Sequence, residues 1–179
     1  MDALIVYTSN TGNTKKVANA IKEGLETSGI NVKTVDSKQA VSKDFFSYDL
    51  VCMGSPSIQW SPAKPISDLL KTKLDQYRNE GKILPGAPKV PGKNALIFCT
   101  YSGPHTGIDE ATPAGKTIRQ YFEHLGFSIA GEWYIIGEFH GRLDLSTLGR
   151  LGDIRGKPTS KDLDKIKMDT IQIAKNLTK

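Results

Sequence analysis

Little in this chain announces chemistry outright. Its 179 residues hold two cysteines and three histidines. Cys52 and Cys99 sit in separate apolar runs with no histidines clustered beside them, so no structural zinc site is encoded. Without a secretion signal, two buried thiols are the expected reading rather than a disulfide. No apolar run approaches the roughly 20 residues that a membrane span needs. The first residues lack a basic segment ahead of a long apolar stretch, so they do not read as a signal peptide, and a cytoplasmic protein with no membrane partner is expected. Basic residues outnumber acidic ones by 24 to 19, for a net charge of +5, but they are scattered. No long basic run and no nucleic-acid-binding motif accompanies them, so no nucleic-acid partner is expected. A basic face for an acidic protein partner fits the same numbers. The hydrophobic fraction of 38% and charged fraction of 24% are ordinary for a globular chain, and the length suits one domain, residues 1–179, with a sizeable core.

What the chain does have is alternation. Short apolar runs and amphipathic helical patterns follow one another from end to end, which predicts a parallel sheet with helices on both faces. The first strand is expected at residues 3–7 and the first helix at 12–28, with Val17, Ile21 and Leu25 on its inner face. The second strand falls at 31–35. Residues 38–48 read as a weak helix or an irregular crossover. The third strand, 49–53, runs into Gly54-Ser55-Pro56-Ser57-Ile58-Gln59-Trp60. Ser61-Pro62 reads as an N-cap and first-turn proline, with Ile66, Leu69, Leu70 and Leu74 striping the helix after it. Residues 81–92 carry Pro85, Pro88 and Pro91 and read as a loop at the far edge of the sheet. The fourth strand is expected at 94–100 and leads into Tyr101-Ser102-Gly103-Pro104-His105. Thr112-Pro113 is expected to cap a helix with Ile118, Tyr121, Phe122 and Leu125 inside. The fifth strand covers 128–136. Residues 137–158 are glycine-rich and irregular, with Arg142, Arg150 and Arg155 among leucines. Thr159 to Asp162 resembles a capping box for the last helix.

The most informative stretch is Leu4-Ile5-Val6-Tyr7-Thr8-Ser9-Asn10-Thr11-Gly12-Asn13-Thr14. A strand delivers a turn of small hydroxyl and amide side chains to a helix N-terminus, where free N–H groups and the helix dipole favour an anion. It is not the nucleoside-triphosphate loop, because Gly12 is followed by Asn13 rather than Lys. The glycine triplet of dinucleotide sites is also absent. A cradle for a single phosphate remains, lined by backbone N–H groups and the hydroxyls of Ser9, Thr11 and Thr14. An ordinary strand–helix turn with good caps is the alternative.

Ser9-Asn10-Thr11-Gly12-Asn13-Thr14 directly after the first strand resembles the FMN-phosphate loop of the flavodoxin family, and the likeness extends along most of the chain. It implies a three-layer α/β doubly wound fold with a five-stranded parallel sheet in the order 2-1-3-4-5, and FMN at the switch between strands 1 and 3. The loops after strands 3 and 4 would sandwich the flavin ring, with Trp60 and Tyr101 covering its faces. The resemblance thus assigns Thr8, Ser9, Asn10, Thr11, Gly12, Asn13 and Thr14 to the phosphate. Ser55, Pro56, Ser57, Ile58, Trp60, Thr100, Tyr101, Ser102, Gly103 and His105 fall to the ring and its polar edge. An aromatic stack worth ~1–3 kcal/mol, confined to one redox state, moves a one-electron potential by ~40–130 mV, at about 59 mV per tenfold.

Two departures from the family pattern stand out. No glycine lies between Ser55 and Pro62, and a non-glycine residue at positive φ is costly, which argues against strong stabilisation of the half-reduced ring. The family is also usually acidic, whereas this chain is basic, so Arg142, Arg150 and Arg155 are candidates for docking acidic redox partners near the flavin. The implied function is electron transfer between redox proteins through one noncovalent FMN. The alternative is an FMN-dependent NAD(P)H:quinone or small-molecule oxidoreductase, with residues 137–158 shaping its pocket.

Overall fold

The protein is described here by a computed structural model covering residues 1–178. In chain order its strands are β1 (Asp2–Tyr7), β2 (Asn31–Asp36), β3 (Leu50–Ile58), β4 (Ser61–Pro62), β5 (Asn94–Tyr101) and β6 (Ser128–Ile136). Its α-helices are α1 (Asn13–Thr27), α2 (Ser37–Ala40), α3 (Lys64–Asn79), α4 (Thr112–His124), α5 (Leu143–Thr147) and α6 (Ser160–Leu177). The sheet order is β2-β1-β3-β5-β6, all parallel, with the short β4 antiparallel on the end of β3. With β4 set aside, this is the expected 2-1-3-4-5 arrangement.

The interior strands are apolar on both faces, as a parallel sheet between helices requires. Leu4, Val6, Val51, Met53, Ala95 and Ile97 point to one side and pack with Ile66 and Leu69 of α3 and Ile118 and Phe122 of α4. Ala3, Ile5, Leu50, Cys52, Leu96 and Phe98 point to the other and pack with Val17, Ile21 and Leu25 of α1 and Ile166 and Ala174 of α6. Fully burying a side chain of this size stabilises by about 1.5–3 kcal/mol, so these two apolar layers fix the helices on the sheet.

Residues 38–48 take the second of the two expected forms, an irregular crossover: α2 is followed by a 3₁₀ turn, Phe45–Ser47. Asp36 caps α2 by accepting from Gln39 N–H, and Asp44 caps the turn by accepting from Phe46 N–H. Two caps so close together break the segment, and Phe45, directly after the second, is buried. Ser61-Pro62 does not cap α3 but forms β4, opposite Ile58 and Ser57. Pro65 then occupies the first turn of α3, which is preceded by Ala63. Thr112 does not cap α4, because its hydroxyl donates to Ile108 O, while Pro113 sits in the first turn. The capping box at α6 forms as expected, with Asp162 N–H donating to Thr159 Oγ1 and Thr159 N–H to the Asp162 carboxylate. The proline-rich loop lies at the amino ends of the strands, where Val90 N–H donates to Gly126 O. Among the described residues no helix is long and apolar enough to cross a membrane.

Candidate functional site

At the carboxyl ends of β1, β3, β5 and β6 lies a cavity of about 500 Å³, the place where open α/β sheets take ligands. Loop 8–12 brings β1 to α1. Gly12 has φ 99°, a conformation that favours glycine, and precedes the first residue of α1. Its N–H and that of Lys15 both donate to Ser9 Oγ, at 3.2 and 3.3 Å. The intrahelical ladder begins with Lys16 N–H on Gly12 O, so the Asn13 and Thr14 N–H groups precede it and belong to the free first turn of the helix. Thr14 Oγ1 and Thr100 Oγ1 lie 2.8 Å apart and are buried; only one can donate to the other, which leaves the second hydroxyl proton for a ligand.

The cavity gathers Asn10, Thr11, Asn13 and Thr14 from this loop and helix, Pro56, Ser57 and Ile58 from the end of β3, Trp60 from the β3–β4 turn, and Thr100, Tyr101, Ser102, Gly103 and His105 from the end of β5 and the loop after it. Four of the expected residues stand behind the lining instead. Thr8 N–H donates to Gly54 O. Ser9 and Gly12 shape the loop as described. Ser55 is fully buried and accepts from Ala63 N–H at 2.8 Å. Trp60 is 63% exposed at the mouth, whereas Tyr101 is 9% exposed in the wall. Burial pushes the Tyr101 phenol up, which keeps it protonated. Behind Thr100, burial and the nearby Glu132 charge push the Cys99 thiol up to about 12, so it is an inert neighbour. Both cysteines are free and buried.

Sequence reasoning missed Gln59, Pro104, Glu110, Glu138, Phe139, His140 and Leu145, which also line the cavity. Gln59 and Pro104 sit between residues already chosen, and the others arrive by tertiary folding. Segment 137–158 folds back across the site. Asn13 Nδ2 donates to Glu138 O at 3.0 Å, the Glu138 carboxylate accepts from Gly156 N–H at 2.8 Å, and Arg150 N–H donates to Pro104 O at 2.8 Å. One signal was available: Glu138 to His140 leave a strand at its carboxyl end, the edge where ligands bind. No lysine or arginine is among the lining residues, which hold two carboxylates, Glu110 and Glu138. Arg142 pairs with Asp144 and Arg155 with Asp153. Of the three arginines proposed for docking, Arg150 alone is in no ion pair among the described residues.

Across the β3–β4 turn the lack of glycine does not prevent positive φ: Gln59 has φ 48° and Trp60 has φ 63°. Two consecutive residues in this region close a two-residue hairpin of the primed type, which matches the twist of its strands.

The flavodoxin family model matches residues 5–166. A flavodoxin of Megasphaera elsdenii is 29% identical over 97 residues, 54% of this chain and 63% of that protein. A coenzyme F420H(2) oxidase of Methanothermobacter marburgensis is 30% identical over 70 residues, 37% of this chain and 17% of that protein. This chain thus spans less than two thirds of the length of either relative. A solved flavodoxin from the domain Archaea superposes with a TM-score of 0.64 at 21% identity, covering all of both chains. The family match covers loop 8–12, the loops after β3, β5 and β6 that line the cavity, and most of the sheet that carries them, and the chain belongs to the flavodoxin family.

Proposed function

We propose that the protein binds one FMN noncovalently in this cavity and carries electrons between redox protein partners in the cytoplasm. The observation that carries the reading is a hydroxyl-lined loop without lysine at the N-terminus of α1, opening into the cavity that Trp60 and Tyr101 share. The residues fit the group. Thr11, Thr14 and the first-turn N–H groups of α1 suit one phosphate monoester. Trp60 and Tyr101 supply flat apolar faces for the ring, and the backbone around Ser102 and Gly103 suits its polar edge. When bound, FMN supplies reversible uptake of one or two electrons. The protein holds the group, excludes water from one face and sets which redox state binds more tightly. Arg150 is proposed as a docking cation for an acidic partner.

The test is an FMN and riboflavin titration of the purified protein. Thr11→Val is expected to weaken FMN by about 10- to 100-fold, the loss of one hydrogen bond to a charged group at ~1.5–3 kcal/mol, and riboflavin far less. Equal losses would mean the loop does not read the phosphate. A protein that takes up no FMN would overturn the reading altogether. A second reading, an FMN-dependent NAD(P)H:quinone or small-molecule oxidoreductase, draws on the wall that Phe139 and Leu145 add to the cavity. Rapid bleaching of the yellow protein by NADH or NADPH with no reductase present would favour it.

A further inference from the structure

We infer that Glu110 is the positioning residue of the ring-side wall, resting on the FMN reading above. Loop 102–107 closes tightly on itself. Gly103 and Gly107 have φ 53° and 72°, and Gly107 N–H donates to Gly103 O at 3.1 Å. A Cβ on Gly103 would lie 2.5 Å from Gly107 O, so the two strands of the loop touch backbone to backbone. The turn aims the successive N–H groups of His105 and Thr106 at one point, a concave nest that suits an anion. Glu110 Oε1 fills it, accepting from His105 N–H at 2.7 Å and Thr106 N–H at 2.8 Å. The backbone carbonyl of the same residue accepts the Ser57 hydroxyl proton from the end of β3. One residue therefore shapes the loop after β5 and ties it to the end of β3, just ahead of the turn that carries Trp60.

Two consequences separate. The first is geometric: the His105 and Thr106 N–H groups are spent on Glu110, so the loop's remaining groups near Ser102 and Gly103 read the ring edge. The second is electrostatic. The Glu110 charge sits in the wall of a cavity whose lining has no lysine or arginine among the described residues, where a fixed negative charge opposes negative charge gained by the ring. Gln keeps an oxygen that accepts the same two N–H groups while removing the charge. Ala removes both.

The experiment compares the wild-type holoprotein with E110Q, E110A and D109N. FMN dissociation constants, midpoint potentials and melting of the FMN-free forms are the readouts. Asp109 is the exposed neighbour outside the cavity lining and controls for a mere change of net charge. E110A is expected to weaken oxidised FMN about tenfold, and E110Q to restore affinity to within about threefold of wild type. E110Q is further expected to favour the reduced ring by about tenfold relative to the oxidised one, a positive shift of about 59 mV for a one-electron couple. D109N is expected to change neither. E110A binding FMN as tightly as wild type, E110Q failing to restore affinity, or D109N shifting the potential as far as E110Q would each overturn the inference while leaving the FMN reading standing. Wild-type protein that binds no FMN overturns both. Should E110A not fold, the potential of E110Q decides alone.

Discussion

Tyr121 and Lys73 show two treatments of a polar group in the same apolar layer. Lys73 is 1% exposed, yet its Nζ donates to Gln76 Oε1 at 2.8 Å and lies 5.6 and 5.7 Å from the Phe45 and Tyr77 ring centroids. Burial lowers its pKa, and the nearby Asp44 and Glu80 charges act against that. Its long apolar stem packs while the amine keeps a partner and two ring faces. Tyr121 has no such arrangement. Its ring stacks edge-on against Phe122 and Phe45, but its hydroxyl is buried and has no hydrogen-bond partner among the described residues. An unpaired buried hydroxyl costs ~1–3 kcal/mol. Tyr121→Phe keeps the ring and removes the orphan, so it is expected to stabilise by about 1 kcal/mol, raising the melting temperature by about 2–4 °C. Thermal unfolding followed by circular dichroism measures this, and a melting temperature lower than wild type would show that the hydroxyl finds a partner in solution.

Among the elements, the β3–β4 turn stores backbone strain. Gln59 and Trp60 both hold positive φ, where a side chain costs roughly 1–2 kcal/mol per residue. Gln59→Gly relieves that strain and loses ~0.5–1 kcal/mol to the freer unfolded chain. A net gain of up to about 1 kcal/mol is expected, read as a higher urea midpoint with an unchanged slope. A lower midpoint would mean that the Gln59 side chain contributes more than its backbone loses. This turn also marks where the sequence stops being legible. The strands, the inner stripe Val17-Ile21-Leu25 and the hydroxyl-rich turn between β1 and α1 were readable because each is a local pattern of period or residue type, whereas the strand order came from the family resemblance. The two residues of β4 are too few for any period, so Ser61-Pro62 was read as a helix cap. Glu110 was not singled out, since nothing local says that its carboxylate turns back to the His105 and Thr106 amides. Glu138, Phe139 and His140 reach the cavity only because an irregular segment folds across Asn13, a contact 125 residues apart in sequence. Trp60 and Tyr101 were found through a family pattern, and their unequal exposure depends on packing that no local pattern encodes.

Across the whole molecule, three carboxylates hold separate pieces together and give the fold a common acid limit. Asp44 accepts from Phe46 N–H, Tyr77 and Lys82, joining the 3₁₀ turn to α3 and the loop beyond it. Glu132 of β6, with a side chain 10% exposed, accepts from Tyr134, Lys116 and Arg119 and so binds α4 to the edge of the sheet. Asp162 accepts from Thr159 and Lys157 at the start of α6. Burial alone would push all three carboxyls up, but these hydrogen bonds and cations outweigh it and hold them below their usual values. A folded-state pKa below the unfolded one gives stability that is fully present above the unfolded value, about 4 for Asp and Glu. That stability is lost as pH falls through the folded value. Stability is therefore expected to hold level from pH 7 to about 5 and to fall below it. Glu132→Gln removes the ionisable group while keeping its size. The variant is expected to be less stable than wild type by about 1–2 kcal/mol at pH 7, and that gap is expected to close as pH drops from about 5 to 3, where the wild-type carboxylate is protonated as well. Urea unfolding at pH 7, 5, 4 and 3 follows the gap directly. A gap that stays constant down to pH 3 would assign the role of Glu132 to packing rather than charge.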